Sequence, residues 1–354
     1  MPESTGSGAY AAAGVSIADG ERAVDLMKAW VQKARRPEVV GSIGGFAGLF
    51  DAAAVAAMRH PLLAASADGV GTKVAIAQAM DKHDTIGLDL VGMLVDDLVV
   101  CGAEPLFLTD YIACGRVVPT RIADIVKGIA QGCITAGCAL LGGETAEHPG
   151  LLGPDDYDVA GSTTGVVEAD SLLGTDRVQL GDVLVAMASS GLHSNGFSLV
   201  RKVLRDSGWR LDRHIDDLGR TLGEELLEPT TIYAKPCLEL IRCTSVRAMA
   251  HVTGGGLAAN LARVLPPTVA ATIERTTWAP ATIFGLVGGL GSLSRSDLEA
   301  TFNMGVGMVA VLAAEDADRA VSTLRELSLD AWVCGEVRSD ASGGGVALVG
   351  DHPR

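Results

Sequence analysis

The apolar residues of this chain fall into strand-like runs that alternate with helix-like repeats. After a small, polar stretch over residues 1–20, Ala23, Val24, Met27, Trp30 and Val31 recur at helical spacing, and Arg35-Arg36-Pro37-Glu38 ends that helix. Leu62 to Ala67 reads as a short strand, and Val74 to Met80 as the helix that follows it. Ile86 to Cys101 predicts a helix with Val91, Leu94, Val95 and Leu98 on its apolar side, and Pro105 to Tyr111 predicts a strand. From Pro119 onward, Ile122, Ile125, Val126, Ile129 and Cys133 repeat at three or four, the mark of an amphipathic helix. Ala139-Leu140-Leu141 is the next strand, and Asp158 to Val167 another, entered through the turn Gly153-Pro154-Asp155-Asp156.

Near Ser171 to Asp182 the pattern restarts, which divides the chain into residues 1–172 and 173–354. Val183 to Ala188 is a strand and Leu199 to Leu204 a helix. Leu226 to Cys243 is largely helical, with Pro229 near its start and Pro236 as a kink. Strands at Val246–Val252, Val309–Leu312 and Ala331–Val337 alternate with helices at Leu257–Val264 and Ala317–Leu327. No fixed-period repeat is present. The alternation predicts an α/β (α+β) architecture, and 354 residues are too many for one ordinary core, so two domains are expected.

Composition narrows the function classes. A net charge of -15 excludes a nucleic-acid binder, because no basic stripe exists to neutralise a phosphate backbone. Seven scattered cysteines include no Cys-x-x-Cys, which argues for reduced thiols and a cytoplasmic protein rather than a disulfide framework or zinc site. Met1 to Ser16 lacks the basic and apolar regions of a signal peptide. The most apolar window, Ile86 to Ala103, contains Asp89, Asp96 and Asp97, which excludes a membrane span there.

Candidate chemistry gathers at glycines. Asp68-Gly69-Val70-Gly71-Thr72-Lys73 sits where a strand becomes a helix: glycines allow close backbone approach, the helix start offers free amides, Lys73 carries a point charge and Asp68 can hold a cation. Taken alone, such a hexapeptide is more often only a turn. Gly41 to Gly48, including Gly44 and Gly45, is either a surface connection or an anion nest, and composition favours the connection. Asp89 and Asp96 share a helical face with Asp97 a quarter turn away; carboxylates among Leu and Val call for a cation. Gly142-Gly143-Glu144 ends another strand, so that Asp68, Asp97 and Glu144 are expected to converge at one sheet edge. His193, in Ser190-Gly191-Leu192-His193-Ser194-Asn195-Gly196, is polar loop chemistry, functional or structural with equal weight by composition. Thr253-Gly254-Gly255-Gly256 at a helix start is an anion site or simply a tight turn.

Together these segments resemble the phosphoribosylformylglycinamidine cyclo-ligase (aminoimidazole ribonucleotide synthetase) family. The resemblance is carried by the stretches beginning at Asp68, Asp97, Gly142, Asp156, Ser189, His251 and Thr301, with Arg35–Val39 and Gly102–Leu106 in support, and it runs from about Tyr10 to the last strand. It implies two α/β domains in a homodimer, the N-terminal ATP- and metal-binding sheets meeting in a barrel-like interface and the C-terminal domain binding substrate. It further implies ATP and Mg²⁺ as cofactors and formylglycinamidine ribonucleotide as substrate. ATP phosphorylates the formyl oxygen to an iminophosphate, an amidine nitrogen closes the imidazole, and ADP and phosphate leave.

By the resemblance, Asp68, Asp97 and Glu144 hold Mg²⁺, while Gly69, Gly71, Thr72 and Lys73 contact phosphate. Lys28 matches a nucleotide-site lysine, and Gly44 and Gly45 belong to a loop that covers that site. His193 binds substrate phosphate or transfers a proton, helped by Ser194 and Asn195, and Thr253 to Gly256 take the ribose phosphate. Two departures stand out. Asp96 replaces a usual Asn before Asp97, leaving open which acid binds metal, and Tyr10-Ala11-Ala12-Ala13-Gly14-Val15 lacks a usual Lys and Asp. The rival readings are another ATP-dependent enzyme of the same superfamily, or a catalytically silent nucleotide-binding subunit; a silent subunit would be expected to lose the loop acids, which are present.

Overall fold

The computed structural model describes residues 13–41, 45–339 and 345–353. Its first half is a four-stranded sheet of β1 (Pro61–Gly69), β2 (Glu104–Cys114), β3 (Ala139–Glu147) and β4 (Tyr157–Glu168), in the spatial order β1-β4-β2-β3. Neighbours are antiparallel except β2 and β3, which run parallel through the crossover helix between them. Helices α1 (Ile17–Lys33), α2 (Val74–Met80), α3 (Ile86–Val99) and α4 (Pro119–Ala136) accompany this sheet. The predicted strand at Ala139 is longer than its apolar run, so Gly142, Gly143 and Glu144 lie inside β3 rather than at its end.

One face of this sheet is buried and the other open. Period-two alternation aims Leu108 and Ile112 of β2 at α3 and α4, where both are fully buried. Glycines let the two helices meet at backbone distance: a methyl on Gly87 of α3 would lie 2.1 Å from the Ile129 amide nitrogen of α4. On the opposite face Leu63 is 69 % exposed and Tyr111 41 %.

The second half is a six-stranded sheet built from β5 (Val183–Ala188), β6 (Val246–His251), β7 (Val269–Glu274), β8 (Val306–Leu312), β9 (Ala331–Ser339) and β10 (Gly345–Val349), ordered β6-β8-β5-β9-β7-β10. Every residue of β8 is buried, which suits a near-continuous apolar run. Helices α5 (Phe197–Ser207), α6 (Ala234–Cys243) and α7 (Gly256–Ala262) follow β5, the segment after Pro229, and β6 respectively. Pro236 kinks nothing. It sits in the first turn of α6, where the missing N–H has no partner to lose.

A polar seam joins the halves. Lys73, fully buried, donates to Asp89 Oδ1 at 2.8 Å, to the His193 carbonyl at 3.1 Å and to the Glu228 carbonyl at 2.7 Å. Asp89 Oδ1 also accepts from the Thr230 amide and hydroxyl at 2.8 and 2.7 Å. Asp96 Oδ1 accepts from the Tyr233 amide at 2.9 Å, at the start of α6. The cation expected for the buried acids of α3 is therefore, for Asp89, the chain's own lysine. Burial pushes the Asp96 carboxyl up to about 7, against the counteracting pull of His251 and the Tyr233 amide.

Two predictions follow from this seam. Lys73→Met should lower unfolding stability by about 3–5 kcal/mol in urea titrations, with recovery in the Lys73→Met/Asp89→Leu double variant, because each single change strands a buried group. A raised carboxyl stabilises the fold below its ordinary value of 3.8, and that contribution disappears as pH rises through about 7. Asp96→Asn should therefore unfold with a shallower pH dependence than the parent across that window, measured by thermal denaturation.

Candidate active site

The Asp68 turn folds as its residues require. β1 ends on Gly69, a single 3-10 turn spans Gly71–Lys73, and α2 begins at Val74; Gly71 takes φ +71°, a left-handed value that favours glycine. Asp68 Oδ1 accepts from the Gly69 amide at 2.7 Å. Facing this turn is the loop before α5. There Gly196 has φ +79°, and a side chain on it would meet the Phe302 ring at 2.3 Å. Thr72 Oγ1 and Ser198 Oγ stand 3.1 Å apart across the gap. Asp68, Gly69, Gly71 and Thr72 on one side and Ser194, Asn195 and Gly196 on the other line a cleft of about 340 Å³.

Asp97 and Asp68 approach each other beside this cleft, and His251 at the end of β6 stands between the halves. The ring Nδ1 lies 2.9 Å from Asp97 Oδ1. Burial alone would lower the His251 pKa, but the bond to Asp97 and the charges of Asp96, Asp97 and Asp68 outweigh it, and the pKa is raised. Asp68 is raised as well, by burial first and by the Asp97 charge, against the lowering bond from the Gly69 amide. Of the adjacent acids, Asp96 is fully buried and bound to the α6 start, while the Asp97 side chain is 45 % exposed. Asp97 is the one with a free oxygen facing outward. His251 is a site residue that the sequence motifs alone do not single out; its signal is a histidine at a strand end immediately before Val252-Thr253 and three glycines.

Three expected roles are not met by the geometry of the single chain. Lys73 cannot serve a phosphate in this arrangement, since its three N–H donors have three acceptors and no water reaches it. His193 is 2 % exposed and does not line the cleft. Its Nε2 accepts from the Ser190 and Thr231 amides at 3.3 and 3.5 Å, and burial, with His251 and Lys73 nearby, drives its pKa well down, so the ring is neutral. Within one chain Glu144 does not join Asp68 and Asp97. It is exposed on β3, the opposite edge of the sheet from β1, three strand spacings or about 14 Å away.

The remaining candidates fall on two sides. Ser194 Oγ pairs with Thr230 Oγ1 at 3.1 Å, and Asn195 Oδ1 approaches Gly254 at 3.4 Å from where a methyl would stand. Thr253 to Gly256 are held by Asn260, whose amide donates to the Thr253, Gly254 and Gly256 carbonyls, leaving Gly254 and Gly255 exposed. On the far edge, Gly45 to Gly48, α1 residues Gly20, Ala23 and Met27, and β2–β3 residues Asp110 and Leu140 to Thr145 line a second cavity of about 590 Å³. Lys28 is not among its lining residues; its side chain is 56 % exposed and pairs with Asp25 at 2.6 Å. Gly44 lies outside the described residues.

Comparison with known proteins bears on this architecture. Residues 50–167 match the family "AIR synthase related protein, N-terminal domain" and residues 179–347 its C-terminal counterpart. Among solved structures, thiamine-monophosphate kinase from Stenotrophomonas maltophilia shares the fold with TM-score 0.67 at 20 % identity, covering 94 % of this chain and 97 % of that one. Hydrogenase maturation protein HypE in complex with ATP does so with TM-score 0.63 at 17 % identity, covering 92 % and 88 %. Phosphoribosylformylglycinamidine cyclo-ligase of Geobacillus kaustophilus is 49 % identical over 343 residues, 97 % of this chain and 98 % of the relative. Such identity over nearly every residue, with the two halves matched in order, makes this chain a member of the phosphoribosylformylglycinamidine cyclo-ligase family.

Proposed function

We propose that the protein closes the imidazole ring of 5-aminoimidazole ribonucleotide from formylglycinamidine ribonucleotide, at the expense of ATP. Beyond family membership, one arrangement supports the reading: Asp68 of the first half faces the glycine-framed Ser194–Gly196 loop of the second, with Asp97, fixed by His251, beside it. An amide oxygen is a poor leaving group and a phosphate a good one. The γ-phosphoryl group passes from ATP to the formyl oxygen, breaking its bond to ADP; an amidine nitrogen then attacks the formyl carbon, and the C–O bond breaks to release phosphate. The protein's share is to hold these atoms in line and exclude water.

Asp68 and Asp97 fit Mg²⁺ in kind and number, since that ion takes one or two carboxylates and draws its other oxygens from phosphates and water. Only Oδ1 of Asp97 is engaged by His251, which leaves Oδ2 available. Bound there, Mg²⁺ supplies charge neutralisation for the transferring phosphoryl group. His251 orients Asp97 and, with its raised pKa, adds positive charge to an acidic cleft. The amides of Gly71 and Thr72, at the start of the 3-10 turn, and the start of α5 at Phe197 present N–H groups to anionic oxygens. Exposed Gly254 and Gly255, beside Asn195, border the place for the substrate's ribose phosphate. Buried His193 acts by positioning: its carbonyl holds Lys73 and its ring gathers two amides beneath the cleft.

The larger cavity suits the base of ATP. Its walls are mostly apolar, no Lys or Arg lines it among the described residues, and the Gly45–Gly48 segment forms one side. The exposed Leu63 and Tyr111 face supports a homodimer in which two such sheets close into one barrel. A homodimer that sets the β3 edge of one sheet beside the partner's β1 edge would bring base cavity and acid pair together across the interface.

The decisive measurement is incubation with ATP, Mg²⁺ and formylglycinamidine ribonucleotide, with aminoimidazole ribonucleotide and ADP expected in equal amounts; ADP without the ring product would overturn the reading. His251→Ala should raise the Mg²⁺ concentration for half-maximal ATP turnover by roughly ten- to a hundredfold. Asp97→Asn should raise it at least as far, and an unchanged Mg²⁺ dependence would remove Asp97 as a ligand.

A further inference from the structure

Asp110 has no part in the cleft beside Asp68. It lies on β2 in the register row Asp68–Gly161–Asp110–Gly143, on the apolar face of the sheet with Leu108 and Ile112. An acid in that row is out of place unless something meets it. It is partly exposed and lines the larger cavity, and burial pushes the carboxyl up to about 7. No other side chain bonds to it among the described residues.

The neighbouring strand is cut to suit it. A methyl on Gly143 would lie 2.1 Å from Asp110 Oδ1 and 2.6 Å from Cγ, so the carboxyl rests where a side chain of β3 would otherwise be. The cavity's apolar lining includes Ala23, Met27 and Val31 of α1 and Leu140 and Leu141 of β3. Glu144 is the only other ionisable group lining it among the described residues. Two acids without a cation repel phosphate, whereas apolar walls with a single inward acid accept a flat heterocycle bearing N–H donors.

We infer that Asp110 is the specificity-determining residue for the nucleotide base, its carboxyl accepting a hydrogen bond from the exocyclic amino group of adenine across Gly143. The inference rests on the base occupying this cavity, as argued above. An oxygen at that ring position, as in inosine triphosphate, presents a lone pair to the carboxyl oxygen in place of a donor, and the base is disfavoured.

The test measures equilibrium binding of ATP and inosine triphosphate to the full-length protein. The parent should prefer ATP roughly tenfold or more, the worth of one buried hydrogen bond with its mismatch penalty. Asp110→Ala should bring the ratio close to one, whereas Asp110→Asn, which keeps a carbonyl acceptor, should retain most of the preference. Gly143→Ala provides a second route: in protein that remains folded, displacing the carboxyl should erase the preference. An unchanged ratio in folded Asp110→Ala overturns the inference. Labelling with 8-azidoadenosine triphosphate separates the two levels of the argument. Label in peptides of α1 or the Gly45–Gly48 segment supports the base site, so an unchanged ratio then removes Asp110 alone; label confined to the Asp68 turn removes the base site and the inference with it.

Discussion

A single ammonium group out of water holds the two halves of this molecule in register. Lys73 reaches from the Asp68 turn to a carboxylate of α3 and to two carbonyls on the loops of the second half. Burying a charge is unfavourable by several kcal/mol unless paired and fully hydrogen-bonded. That condition forces the Asp68 turn, the His193 loop and the segment before Pro229 into one mutual arrangement. The cleft is the space left between them. Thr230 completes the arrangement by donating twice to the same Asp89 oxygen that receives Lys73.

Around that anchor the cleft is acidic by design of neighbours rather than by count. Asp68 and Asp97 share a space with Asp96 behind them and only His251 to offset the charge. Burial first, and the neighbouring Asp97 charge after it, raise Asp68 and Asp96 in pKa, and a cation arriving there favours their ionised forms. A site of this kind gains affinity for a divalent ion without a complete cage of protein ligands, which suits an ion delivered on a triphosphate.

The sheet of the first half separates two kinds of recognition. At its β1 edge, glycines, amides and acids suit phosphate and metal; at its β3 edge, apolar walls and an inward acid suit a base. Strand order alone sets this division, because β1 and β3 are the outer strands of the sheet. The open face between them, with Leu63 and Tyr111 exposed, is left for another sheet to cover.

Much of this was legible in the residues. Local period and turn chemistry are short-range, so most long strands and helices and the strand–turn–helix at Asp68 could be read without coordinates. Strands at Val269–Glu274 and Gly345–Val349 do not stand out from the loops around them, and whether Pro236 kinks its helix depends on where that helix starts, which periodicity leaves open. Function was legible only as resemblance, through ordered motifs. What the sequence could not decide was which charge meets which. Lys73 looked like a phosphate ligand until Asp89 and the carbonyls of residues 120 and 155 positions away closed around it. Glu144 looked like a partner for Asp68 until strand order set them on opposite edges. His193 looked available until its positive φ and the bare Gly307 beneath turned its ring inward. Periodicity is a property of neighbours along the chain. The pairing of buried charges depends on desolvation, and only the packed tertiary structure determines which groups lose their water together.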